Sequence, residues 1–344
     1  MSEPMNEPIP VHLLTGFLGS GKTTLLNHLL KSPEFADCAV LVNEFGEVGV
    51  DHHLIEAVQG EVVLLPSGCI CCTVRGDLAE AMRSLHAQRD VGTVPAFRRL
   101  VIETTGLADP TPVLSTLMHE RVIRHHFRVG SVITTVDAVN ATDTLARFPE
   151  AAKQVAVADR LIVTKTDLVA PEAVQALRER LACLNALAVV HESGGQALAA
   201  GALLGDEGGE GSAGARHAVP ERGPLGIHRS LVQAPPGAPG GIASFALELE
   251  HGVDWTVFGV WLSLLLHTHG QRVLRVKGLL HVQGAERPVV VHGVQHLIHP
   301  PEHLPAWPPG ERRSRLVFIT QGIAPDLIRR SLAAFLHTLS TAPA

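Results

Sequence analysis

The sequence predicts an α/β protein, a mostly parallel sheet with helices on both faces, followed by a smaller α+β domain. Three observations carry this. Short apolar runs alternate with helical patterns through residues 11–191, and a parallel strand needs a crossover that a helix can supply. A glycine-rich turn stands at the first strand-to-helix junction. The composition then shifts to Gly, Ala and Pro over 194–241 before apolar patterning resumes. The predicted organisation is therefore 1–193, a linker at 194–241, and 242–344.

The first strand, 11–15, enters Gly16-Phe17-Leu18-Gly19-Ser20-Gly21-Lys22-Thr23-Thr24. A helix at 22–31 follows, with Leu25, Leu26, Leu29 and Leu30 at helical spacing. G-x-x-x-x-G-K-T between a strand and a helix is the P-loop signature in its confirming context, so the sheet is expected to be that of a P-loop NTPase. Gly16, Gly19 and Gly21 let the backbone curl until its N–H groups face one point. The helix aims its positive end at that point. Lys22 then reaches the β- and γ-phosphates, and Thr23 offers a hydroxyl to Mg²⁺.

A strand at 39–43 leads into Asn43-Glu44-Phe45-Gly46-Glu47-Val48-Gly49-Val50-Asp51. This placement suits a switch loop, with Asp51 or Glu44 at Mg²⁺. The strand 62–65 leads into Gly68-Cys69-Ile70-Cys71-Cys72. C-x-C-C is too cramped for a structural zinc finger, which uses two separated pairs. Three thiolates leave one tetrahedral position open, which suits Zn²⁺ first, then Co²⁺ or Cu⁺. Glu47 is a candidate to join them. Vicinal-thiol redox chemistry and inert buried thiols are the rivals.

After a helix at 77–88, the strand 100–103 ends on Glu103, followed by Thr104-Thr105-Gly106. That is the form of a Walker B element: Glu103 at Mg²⁺ through water, the Gly106 N–H at the γ-phosphate. A helix is expected at 112–118 and a strand at 131–136. The strand 161–164 runs into Thr164-Lys165-Thr166-Asp167. The Asp167 carboxylate can accept from N1–H and the 2-amino group of guanine, donors that adenine lacks. Lys165 is expected to lay its stem over the purine. Thr164 stands where GTPases usually carry Asn, which leaves the bracing of the turn open. A helix at 172–184 precedes Asn185, expected to close the base pocket, and a strand at 188–191.

Beyond the linker, strands are expected at 244–250, 274–282 and 287–298, with helices at 255–267 and 325–339. His292 and His296 would share a strand face by period two, and His267 and His269 sit at a helix end. These are the candidates for a second metal site.

Bulk properties bound the rest. Among 344 residues, 46% are hydrophobic and 18% charged, which excludes wholesale disorder. A formal net charge of −6 argues against nucleic acid as the main partner. Five cysteines, three of them clustered, suit metal or redox work in a reducing compartment rather than a disulfide framework. No apolar run is long enough to span a bilayer, and residues 1–10 lack a leader-like apolar core. No membrane partner is expected, and the expected location is the cytoplasm.

G-F-L-G-S-G-K-T-T-L-L, N-E-F-G-E-V-G-V-D, G-C-I-C-C, I-E-T-T-G-L-A-D-P and T-K-T-D, in this order, resemble the CobW family of P-loop GTPases. That family includes cobalamin-synthesis proteins, nitrile hydratase activators and zinc-transferring GTPases. Leu274-Arg275-Val276-Lys277-Gly278-Leu279-Leu280 and Val291-His292-Gly293-Val294-Gln295-His296-Leu297 resemble its C-terminal domain. The resemblance implies a GTPase that binds a transition metal at Cys69, Cys71 and Cys72 and delivers it to a client metalloenzyme. It implies phosphate contacts from Gly19, Ser20, Gly21, Lys22, Thr23 and Thr24, and guanine contacts from Lys165 and Asp167. The long His-rich tract of some members is absent; the linker holds only His217 and His228. A nucleotide hydrolase or GTP switch without metal delivery is the alternative.

Overall fold

The computed structural model describes residues 7–35, 37–43, 64–67, 75–194, 203, 241–308 and 312–340. The chain divides into two compact units. One is Met1–Leu145 with Ala158–Leu177 and Ala188–Glu207; the other is Ala146–Val157 with Arg178–Leu187 and Gly208–Ala344.

The first unit is built on a seven-stranded sheet of β1 (Ile9–Gly16), β2 (Cys38–Asn43), β3 (Leu64–Ser67), β4 (Arg99–Glu103), β5 (Phe127–Asp137), β6 (Arg160–Thr164) and β7 (Val189–Ser193), in the order β3-β2-β4-β1-β5-β6-β7. Every pairing is parallel. Between the strands the chain runs through α1 (Lys22–Leu30), α2 (Arg75–Asp90), α3 (Thr111–His119), α4 (Arg121–His126), α5 (Ala141–Arg147), α6 (Pro149–Val157) and α7 (Pro171–Leu184), of which α6 and the second half of α7 fall in the second unit. β1 is central, and Val11, Leu13 and Leu14 are almost wholly buried. That explains why apolar Leu13 and Leu14 stand on opposite faces and the strand does not alternate. Leu25, Leu26, Leu29 and Leu30 of α1 share a core with Leu14, Val40, Val101, Ile133 and Ile162. The α1 register seats the glycine-rich turn over the carboxyl end of the sheet, where parallel sheets hold their ligands.

α4, α5 and α6 lie outside the sequence expectations. α4 and α5, six and seven residues long, span too few turns for a 3.6-residue period to stand out.

The second unit carries a six-stranded sheet of β8 (Ile242–Leu249), β9 (Val273–Leu280), β10 (Val289–Val294), β11 (Leu297–Ile298), β12 (Glu302–His303) and β13 (Ser314–Gln321). The order is β11-β10-β9-β13-β8, with β12 also on β10. All pairings are antiparallel. α8 (Trp255–His269) and α9 (Pro325–Ser340) pack with Phe245, Val276, Leu316 and Phe318 in one core. Trp261 Nε1 donates to Ser331 Oγ at 3.1 Å and joins the two helices.

Two expectations are corrected here. The run 287–298 is not one strand: Gln295, at φ 51, turns the chain, and β11 folds back on β10. His292 and His296 therefore do not share a strand face; His292 stacks on His299 instead, with ring centroids 4.2 Å apart. β13 lies outside the sequence expectations, and it stands between β9 and β8.

α6 also belongs to this second unit, and its end is closed from far along the chain. Asn185 Nδ2 donates to the carbonyls of Val155 at 2.8 Å and Ala156 at 3.2 Å. Buried Arg275 of β9 donates through Nη1 to the carbonyl of Val157. The last carbonyls of a helix lack partners within it, and these two side chains supply them. Asn185 is thus a brace for α6, with Oδ1 accepting from the Leu187 N–H at 3.0 Å, rather than a wall of a base pocket.

Candidate functional site: a phosphate cradle and a base-side turn

The turn after β1 takes its shape from glycine. Gly16, Gly19 and Gly21 have φ of 142, 70 and 88, values that side chains disfavour. Gly21 caps α1 in the left-handed conformation, no side chain caps that helix end, and its first turn holds no acidic residue. The N–H groups of that turn are left to face an incoming anion. The Lys22 ammonium folds back into the turn and donates to the carbonyls of Gly16 at 3.0 Å and Phe17 at 3.2 Å. Ser20 lies buried beneath the loop, and Thr24 lies exposed on α1.

Buried hydroxyls tie the loop to the strand ends. Ser20 Oγ and Thr135 Oγ1 are 2.6 Å apart. Thr135 Oγ1 also donates to Thr15 O at 3.3 Å, and Thr104 Oγ1 donates to Thr15 Oγ1 at 2.9 Å. Thr164 Oγ1 donates to Ser20 O at 2.8 Å. The brace left open by the missing Asn is therefore present: a threonine hydroxyl reaches the loop backbone.

At the mouth of the cradle, Thr23 Oγ1 donates to Glu103 Oε1 at 2.8 Å. A hydroxyl and a carboxylate converging at the end of β4 are hard oxygen donors of the kind Mg²⁺ takes, so the residues present fit that ion. Gly106 passes against the loop: a Cβ there would stand 2.6 Å from Leu18 N, so no larger residue fits.

On the base side, Asp167 lies exposed in a single 3₁₀ turn, Thr166–Leu168. Lys165 caps this turn at φ 58, and its ammonium donates to Gly19 O at 2.9 Å and Asp137 Oδ2 at 2.8 Å. Burial pushes the Asp137 carboxyl up; hydrogen bonds from Lys165, Asn140 and the Val139 N–H outweigh it and hold the pKa below the usual carboxylate range.

The structure thus brings Gly16, Gly19, Ser20, Gly21, Lys22, Thr23, Glu103, Gly106 and Lys165 to the carboxyl end of the sheet, with Asp167 beside them. Glu44, Glu47, Asp51, Cys69, Cys71 and Cys72 lie outside the described residues. Among the described residues no group of three or more His, Cys, Asp or Glu is placed so as to hold a metal ion. The sequence reading missed Thr15, Thr104, Thr135 and Asp137. A polar residue at the carboxyl end of an apolar strand was the available signal.

A parallel sheet, a glycine-built cradle with a lysine folded into it, and a hydroxyl–carboxylate pair at its mouth define a P-loop nucleotide-binding protein. The chain belongs to the CobW family: residues 10–192 match the CobW/HypB/UreG nucleotide-binding domain, and residues 242–336 match the cobalamin synthesis protein cobW C-terminal domain. It is 36% identical over 332 residues to the zinc chaperone YjiA of Escherichia coli (strain K12), covering 95% of this chain and 98% of that one. It is 36% identical over 205 residues to the zinc chaperone CobW of Pseudomonas aeruginosa, covering 51% of this chain and 53% of that one. The crystal structure of Zn(II)-bound YjiA GTPase from E. coli superposes with a TM-score of 0.70 at 30% identity, covering 96% of this chain and 99% of that one.

Proposed function

We propose that this protein is a GTP-hydrolysing metallochaperone that loads a transition metal, zinc first and cobalt second, at Cys69, Cys71 and Cys72. It hands the metal to a client metalloenzyme in the cytoplasm. One register line carries the reading. Glu103 pairs with Val42 across β4 and β2, and Val42 pairs with Pro66 across β2 and β3. Neighbouring strands lie about 5 Å apart, so Pro66 stands about 10 Å from Glu103 across the sheet. Asn43 and Ser67, one residue on, are where the chain leaves toward the switch segment and toward C-x-C-C. Both departures lie at the carboxyl ends of their strands, as the phosphate cradle does. The zinc named for the full-length relatives supports the choice of metal.

The residues divide the work as follows. The turn N–H groups and α1 bind the phosphates, and Lys22 exchanges the Gly16 and Phe17 carbonyls for phosphate oxygens. Thr23 and Glu103 hold Mg²⁺, which when bound neutralises the charge developing on the phosphates. The Gly106 N–H and the segment containing Asp51 sense the γ-phosphate, while Lys165 and Asp167 read guanine. Glu47 joins the thiolates in the triphosphate-bound state. Loss of the γ-phosphate relaxes that segment and loosens the metal.

Titration of the purified protein with Zn²⁺, in GDP and in a non-hydrolysable GTP analogue, tests the coupling. A tighter site in the triphosphate state is expected. Equal affinity in both states would sink the mechanism. Lys22→Ala should abolish turnover, and Cys71→Ala should spare GTP binding while losing zinc.

A further inference from the structure

Lys165 is one of two non-glycine residues with positive φ among the described residues. Such a conformation costs on the order of 1 kcal/mol and persists only where the surroundings hold it. Asp137 is one of the groups that surround it. β5 and β6 pair so that Asp137 stands opposite Thr164, the residue before Lys165, and the Ala138 N–H donates to Thr164 O at 3.0 Å. The carboxylate is itself fixed from three sides. Oδ1 accepts from the Val139 N–H at 2.9 Å, and Oδ2 accepts from Asn140 Nδ2 at 2.8 Å and from Lys165 Nζ at 2.8 Å. The Asp137 side chain is 11% exposed, while that of Lys165 is 36% exposed. The ammonium is tied down, yet the side chain as a whole stays partly exposed.

We propose that Asp137 is the positioning residue of the purine site. It stretches Lys165 across the loop to Gly19, so that the four-carbon stem forms a fixed apolar floor for guanine. A floor already in place spares the nucleotide the cost of freezing a long flexible side chain. The carboxylate also balances the Lys165 charge, leaving Lys22 as the cation that draws the phosphates. This rests on the reading of the site as a guanine-nucleotide pocket. It adds to it a residue that contacts neither base nor phosphate.

Calorimetric titration of the full-length protein with GDP, GTP and inorganic tripolyphosphate tests the assignment. Asp137→Ala should weaken GDP and GTP by equal factors of about tenfold or more, the scale of a charge-assisted hydrogen bond lost at a site. Tripolyphosphate, which has no base, should bind within about twofold of wild type on the same scale. Lys165→Ala should cost about as much, and the double variant no more than Lys165→Ala alone, because the two residues act as one unit. Asp137→Asn keeps the shape and removes the charge, and should weaken GDP by an intermediate factor; it decides the matter if Asp137→Ala does not fold. Unchanged GDP affinity in Asp137→Asn overturns the assignment. So does additivity with Lys165→Ala, or an equal loss for tripolyphosphate, which would mark a merely structural role. A wild-type protein with no preference for GDP over ADP would refute the guanine reading itself, before any variant is made.

Discussion

Thr23 and Glu103 stand 80 positions apart in the chain, and the hydroxyl of one donates to the carboxylate of the other at 2.8 Å. Glu103 is buried, and β4 pairs with β1 up to Glu103 itself, so the meeting point is set by the sheet and not by a mobile loop. Glu103→Gln should therefore lower Mg²⁺-dependent GTP turnover by about a hundredfold or more, the scale seen when a preorganised charge is lost from a site. GDP binding in chelator, measured by calorimetry, should stay within a few-fold of wild type.

Thr164 donates to Ser20 O at 2.8 Å and to Val136 O at 3.3 Å while buried between the base-side turn and the cradle. Thr164→Val keeps the volume and removes the donor. Leaving buried carbonyls short of a donor costs about 1–3 kcal/mol. Urea unfolding should show that loss, and GDP affinity should fall with it because the Ser20 backbone loses its anchor.

His86 of α2 lies with its ring 4.0 Å from that of His126 and its Nδ1 3.1 Å from Asp90 Oδ2. Burial first, then the neighbouring His126, hold its pKa below 6.5, against the pull of Asp90. A base whose folded pKa is depressed takes up its proton more readily in the unfolded chain. Stability should therefore fall as pH drops below 6.5 and level off once the folded-state pKa is passed. The urea midpoint of wild type should decrease between neutral and mildly acidic pH. His86→Gln should show a smaller decrease.

Burial pushes the Cys38 thiol up to about 12, and its Sγ lies 3.4 Å from Ala39 O, whereas Cys183 is exposed. Because the thiolate is the nucleophile, a maleimide at mildly alkaline pH should label Cys183 in the native protein and Cys38 only after unfolding. Mass spectrometry of the labelled peptides separates them. Bound Zn²⁺ should protect Cys69, Cys71 and Cys72 and leave Cys183 reactive.

What was legible follows from how local the physics is. The cradle could be read because its glycines, its lysine and its helix are neighbours in sequence, and one constraint of sterics and dipole governs them all. The central strands could be read because burial on both faces forces apolar runs. The brace from Thr164 and the tie from Asp137 to Lys165 could not, since each depends on a register between strands. The separation is 144 positions for Thr164 and Ser20, and 28 for Lys165 and Asp137. Asn185 misled for a related reason: an asparagine between two apolar residues looks free to serve a ligand, but its amide is committed to the backbone of α6.

The end of α6 ties early chain to late chain. Its terminal carbonyl is satisfied by Arg275, made 118 residues later. As the chain emerges from the ribosome, the helix that leads into β6 stays unfinished until β9 has been synthesised. A fragment ending before β8 would carry the whole cradle and base-side turn, yet release that helix end to water just upstream of β6, the strand that leads into Lys165. Shortened versions of this protein should thus mature late or poorly at the nucleotide site, for a cause lying far from any nucleotide.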